Sequence, residues 1–224
     1  MFNRQELKKE AKALLGQIFK SLDFLLIMVS YWLVSVAYGC YYLQFFIYFT
    51  LKDGLLMGLL AVILILLTIG LQIVLYDIVR GSIPIATKDG WLDAIIRIWE
   101  RKHSLRFLTS EFWQIVFVCL WALIPLIGWV IAVVKVYSYC QGVYVVAASK
   151  ETITGYDSLE VSKALMNGYK LDYFVLELSF FFWYLLSLVT FGVALIYVIP
   201  YISITKALYF MELKRVHPSI TIEK

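Results

Sequence analysis

Two charged side chains, Lys135 and Glu177, interrupt long apolar runs: WVIAVVKVYSYC at Trp129 to Cys140 and LDYFVLELSFFFWYLLSLV at Leu171 to Val189. A charge held away from water is costly, so the pair is first read as a polar site or an ion path. Each stands six residues inside its run, Glu177 about 9 Å from the inner boundary and Lys135 about 9 Å from the outer one. In a hydrocarbon core about 30 Å thick those levels differ by about 12 Å, too far for a direct salt bridge between upright helices. The alternative is structural: Lys135 reaches the outer interface along its flexible stem, and Glu177 accepts hydrogen bonds from a neighbouring helix.

Other chemistry is thinly represented. The two histidines, His103 and His217, both fall outside the apolar runs, and no HExxH, GxSxG or Walker pattern occurs. Cys40, Cys119 and Cys140 lie in or beside apolar segments without a CxxC or a histidine at metal-ligand spacing, so they read as small buried side chains. Asp77 and Arg80, one turn apart, read as a local helix-end pair. No catalytic residue, cofactor or metal is expected, and the chain is read as a non-enzyme.

The elements that position these side chains must sit in a bilayer. Of 224 residues 62% are hydrophobic and only 16% charged, where soluble domains carry about 25%. The expected fold is all-α: a polytopic membrane bundle of six transmembrane helices in three hairpins, over residues 22–49, 54–79, 107–124, 129–148, 171–189 and 193–212. Pro125 with Gly128, and Thr190 with Gly192, mark tight turns in the second and third hairpins, and Pro200 can kink the last helix.

Each hairpin follows a segment with one apolar and one charged face. The first, within residues 1–21, has Leu7, Ala11, Leu14, Leu15 and Ile18 opposite Arg4, Lys8, Lys9 and Lys12, with Asn3 and Glu6 at the spacing of a helix start. The second runs from Trp91 to Arg106; the third runs from Asp157 to Tyr169, with Asn167-Gly168 as its stop. All three are expected to lie in the membrane interface, as parts of a unit repeated three times. Lys8, Lys9, Lys12, Arg97, Arg101 and Lys102 are then candidate contacts to anionic lipid headgroups.

Lys and Arg are confined almost entirely to the ends and the connections on one side, while the other side has only Lys52. Basic connections stay in the cytoplasm, so both termini are expected there, with residues 213–224 as a cytoplasmic tail. The net charge of +4 is carried by segments flanking apolar runs, which points to lipid rather than nucleic acid. The first apolar run is longer than a signal-peptide core and reads as a retained span.

IPLIGWVIAVVKVYSY at Ile124 to Tyr139, SLEVSKALMNGYKLDYFVLELSFFFWYLLSLVTFGVALIYVIPY at Ser158 to Tyr201, and LKKEAKALL at Leu7 to Leu15 resemble a family of uncharacterised multi-pass membrane proteins of Gram-positive bacteria. That family tends to have glycine directly after Ile-Pro, where this chain has Ile124-Pro125-Leu126. The resemblance implies a bacterial cytoplasmic membrane location and no established activity. The expected function is non-catalytic: organising lipids or a partner membrane protein at the cytoplasmic face. The competing expectation is a small transporter or channel for a solute, ion or lipid.

Overall fold

A computed structural model describes residues 2–48, 51–82, 95, 96, 99, 105–122, 127–149, 153–218 and 220; for residues 45, 48, 122 and 127–129 it describes the backbone alone. Among the described residues all regular structure is helical. The helices are α1 (Arg4–Ile18), α2 (Leu22–Tyr48), α3 (Leu51–Val79), α4 (Leu105–Ala122), α5 (Ile127–Tyr139), α6 (Gly142–Ala148), α7 (Gly155–Leu165), α8 (Lys170–Leu178), α9 (Phe181–Val189) and α10 (Leu195–Val216). Among these residues five stretches are long and apolar enough to cross a membrane: Leu22–Gln44, Leu51–Val79, Val130–Ala148, Lys170–Val189 and Leu195–Val216. The expected third span corresponds to α4, the expected turn at Pro125 lies outside the described residues, and Gly128 falls in the first turn of α5. Only Ile95, Ile96, Trp99, Leu105 and Arg106 of the expected second amphipathic segment are described.

The chain forms two compact units. One comprises Met1–Lys9, Glu100–Phe180 and Thr205–Lys224; the other comprises Glu10–Trp99 and Phe181–Ile204. In the second unit α2 and α3 pack together, with Tyr31 and Thr68 sharing a hydrogen bond of 3.1 Å. Their large apolar side chains, among them Leu33, Leu43, Phe46, Leu55 and Leu59, are exposed, whereas Ile69, Leu71, Ile73, Val74 and Leu75 at the far end of α3 are buried. An exposed apolar surface of that extent suits a membrane or a protein partner rather than water. Helix α3 ends at Gly81, whose φ of +79° lets Ser82 N–H reach back to the Asp77 carbonyl at 2.8 Å. The turn at Thr190 and Gly192 forms as the sequence indicates. Gly192 has φ +83°, while the Thr190 hydroxyl donates to the Leu186 carbonyl at 2.9 Å and accepts the Ala194 N–H at 3.1 Å.

In the first unit the expected continuous span over 129–148 is broken between α5 and α6. A break inside a membrane must have its freed backbone groups satisfied from elsewhere. Ser162 of α7 does this with one hydroxyl: it accepts the Gln141 N–H at 3.2 Å and donates to the Ser138 carbonyl at 2.9 Å. The Tyr137 carbonyl takes the Cys140 thiol at 3.3 Å. The span expected over 171–189 is likewise broken, at Ser179 and Phe180, where the Ser179 hydroxyl turns back to the Leu176 carbonyl.

Helix α7 departs from its expected role. It begins at Gly155, capped by Thr154, whose hydroxyl oxygen accepts the Asp157 N–H at 3.2 Å and donates to the Asp157 carboxylate at 2.7 Å. Ser158, Leu159, Ser162 and Leu165 form its inner face, all buried, and it packs on α4, α5 and α6 rather than lying on lipid. Small residues permit the approach. Ser110 and Ser158 share a hydrogen bond of 2.9 Å, and a Cβ on Gly142 would stand 2.8 Å from the Ser110 hydroxyl.

A Cβ on Gly155 would collide with Thr109 Oγ1 and come within 2.6 Å of the Ser110 backbone nitrogen. Gly155→Ala is therefore expected to lose about 1–3 kcal/mol, read by thermal unfolding in detergent. Gly16→Ala on α1, with nothing within 4 Å of its Cβ, is expected to be neutral or to gain up to about 1 kcal/mol.

Candidate functional site

Polar side chains of the first unit gather along the seam between α8 and the end of α10, with the start of α1 beside it. Positions 169, 172, 173, 176 and 177 share one face of α8 through their three- and four-residue spacing. Tyr173 and Leu176 are buried, and Asp172 is 3% exposed. On α10 the matching positions are Lys206, Tyr209 and Leu213. The Tyr209 hydroxyl lies 3.3 Å from both the Asp172 carboxylate and the Tyr169 carbonyl, and its ring meets that of Tyr173 edge-on at 5.1 Å.

Glu177 is paired. The Lys206 ammonium donates to Glu177 Oε1 at 2.7 Å, with 25% of the lysine side chain and 32% of the glutamate side chain exposed, and stands 5.8 Å from the centre of the Tyr173 ring. An ammonium over a phenol face gains a further cation–π contribution. Lys206 lies midway along α10, and the same hydropathy pattern that marks Glu177 marks it. Lys135 has other company. Its ammonium donates to the Tyr139 hydroxyl at 3.4 Å and lies 5.8 Å from the Trp121 ring centre.

The start of α1 completes the seam. Asn3 and Glu6 form the cap foreseen from their spacing, with Glu6 N–H on Asn3 Oδ1 at 3.3 Å and Asn3 Nδ2 on Glu6 Oε2 at 3.1 Å. Phe2 stacks on Tyr169 at 5.0 Å and meets Tyr209 edge-on at 5.1 Å. Arg4 Nη1 lies 3.8 Å from Asp172 Oδ1, an ion pair longer than a hydrogen bond. Lys8 reaches the Ser179 carbonyl at 3.5 Å and sits 4.6 Å from the Phe180 ring centre. The first turns of α1 thus run alongside α8, with Arg4 opposite Asp172 and Lys8 opposite Ser179.

That placement corrects the expectation of a helix resting on lipid by its apolar face. Leu7, Ala11, Leu15 and Ile18 are all buried in the protein. Of the candidate headgroup contacts, Lys8 is turned onto its own chain, Lys9 and Lys12 are exposed, and Arg97, Arg101 and Lys102 lie outside the described residues. Tyr201 is 1% exposed beside Trp183 and Tyr197 in the second unit.

Lys9, next to Lys8, is exposed at this end of the seam. Among the described residues no group of three or more His, Cys, Asp and Glu side chains could hold a metal ion.

A chain whose described residues are helical, with five stretches long and apolar enough to cross a membrane and a charged seam where α8 meets α10, has the features of the polytopic membrane class. It belongs to the family described as protein of unknown function (DUF975), which it matches over residues 94–217, more than half of its length. Asp172, Glu177, Lys206 and Tyr209 lie within the matched residues; Arg4, Lys8 and the string Leu7 to Leu15 do not. No curated protein and no solved structure matches the chain.

Removing Lys206 alone leaves the part-buried Glu177 carboxylate without its partner, and Lys206→Met is expected to lower stability by about 1–2 kcal/mol, read by thermal unfolding in detergent. The double change Lys206→Met with Glu177→Gln is expected to recover more than half of that loss. Equal instability of the single and double variants would mean that the pair does not carry the seam.

Proposed function

We propose that this chain is a six-span protein of a bacterial cytoplasmic membrane, with α4 as its third span and both termini in the cytoplasm. It is non-catalytic and organises anionic lipids or a partner membrane protein at the inner face. The observation that carries this reading is the level of its charges. Arg4, Lys8, Asp172, Glu177 and Lys206 gather along one seam beside exposed Lys9, so they make a charged layer at the inner boundary rather than a file across the bilayer. A basic inner layer attracts anionic headgroups by about 1 kcal/mol per Lys or Arg.

A second reading, a small transporter or channel, draws on the breaks at Cys140-Gln141 and Ser179-Phe180, because discontinuous helices line substrate sites in transporters.

Cysteines placed at Lys9 and Lys214 of a cysteine-free chain are expected to resist a membrane-impermeant maleimide in intact cells and to react after permeabilisation. Reaction in intact cells at either position would overturn the topology. Lys9→Gln with Lys12→Gln is expected to reduce co-purifying anionic lipid or partner protein more than Lys135→Gln or Glu177→Gln does. Ion or solute flux in liposomes that Glu177→Gln abolishes would favour the second reading.

A further inference from the structure

Lys135 stands within the membrane-length stretch Val130–Ala148, and among the described residues no carboxylate pairs with it. Its hydrogen bond is the long one of 3.4 Å to the Tyr139 hydroxyl, and its ammonium lies 5.8 Å from the Trp121 ring centre and 5.6 Å from that of Tyr139. Two ring faces hold a cation in place without neutralising it, and an ammonium has three N–H donors, of which Tyr139 takes one. We infer that the flank of the packed α4 and α5 pair at Lys135 binds one anionic phospholipid of the outer leaflet, its phosphate on the ammonium. The inference rests on the membrane topology proposed above and adds a lipid site at the other membrane surface.

Level, access and surroundings fit this occupant. Trp121 is the last residue but one of α4, so the ammonium beside it sits at the end of that helix, which in the proposed topology faces outward. Tryptophan at a helix end belongs to the headgroup boundary. Lys135 itself is half-buried, and Val130, Val133 and Val134 near it on α5 are exposed, so a lipid reaches the ammonium from the side. Below it, Trp113 and Phe117 precede Trp121 at four-residue spacing along about 12 Å of α4. Phe117 stacks on Trp113 at 5.7 Å and meets Tyr139 at 5.9 Å, which gives an acyl chain a track of rings to follow from the phosphate. A charge left at +1 selects an anionic headgroup over a zwitterionic one, which brings its own cation. Charges within a membrane are ordinarily paired, and here the phosphate is the partner.

The test is native mass spectrometry of the full chain purified in mild detergent and offered equal phosphatidylglycerol and phosphatidylcholine, with inorganic phosphate as a third arm. Lys135→Gln is expected to carry one phosphatidylglycerol fewer than wild type, its retention of that molecule lowered roughly fivefold, while Lys135→Arg keeps it. Lys9→Gln with Lys12→Gln, which lowers the inner-face total, should leave this molecule in place. Because Lys135→Gln strands no carboxylate, it is expected to unfold at the wild-type temperature in lipid-free detergent; a lower temperature would make Lys135 a prop of the α4 and α5 packing and overturn the site. Equal lipid on Lys135→Gln and wild type, displacement of the lipid by millimolar phosphate, or loss of a co-purifying protein in place of lipid would overturn it too. If Lys9→Gln with Lys12→Gln sheds lipid and Lys135→Gln sheds none, the site falls and the proposed function stands, whereas maleimide labelling in intact cells removes the topology beneath both.

Discussion

A charge drawn partly out of water is best held beside its counter-charge, and the Lys206–Glu177 contact at 2.7 Å supplies that in the first unit. Once those two side chains face one another, α8 and the end of α10 are fixed in register. Tyr173 and Tyr209 then interlock between them, Tyr209 reaches the Asp172 carboxylate, and Phe2 and Arg4 of α1 close over the result.

Backbone economy imposes a second constraint. The break between α5 and α6 frees a donor and an acceptor, and Ser162 serves both from α7. Helix α7 can come that close because Gly142 and Gly155 present no side chain where α4 and α7 would otherwise meet it. Close packing and the mended break are thus one arrangement: bulk at either glycine would move Ser162 away from the groups it satisfies.

Apolar length was readable from the sequence, and so were the stops that need a particular residue. The α2 and α3 boundaries, the Gly168 and Gly192 turns and the Asn3–Glu6 cap all follow from local signals. The two breaks did not, because single residues such as Gly142 and Ser179 are tolerated inside a helix and do not by themselves end one: Ser162, twenty-one residues from Gln141, supports one of the breaks. Amphipathic segments carry a similar ambiguity. A helix with one apolar face needs cover, but the pattern is the same whether that cover is lipid or protein, and for α1 and α7 the burial of Ala11, Leu15, Leu159 and Leu165 shows it is protein. Of the site, Glu177 stands out in the sequence as an anomaly, while its partner Lys206, inside the last expected span, carries the same signal without being singled out. Arg4 and Asp172 were invisible as a pair because 168 positions separate them and each looks like an ordinary helix-end charge.

The stacking of Phe2 on Tyr169 makes the beginning of the chain part of its architecture. A bulky group joined directly ahead of Phe2 would crowd the ring pair and pull on Arg4 two residues later. For a chain studied through fusions, the choice of end becomes a structural variable in its own right.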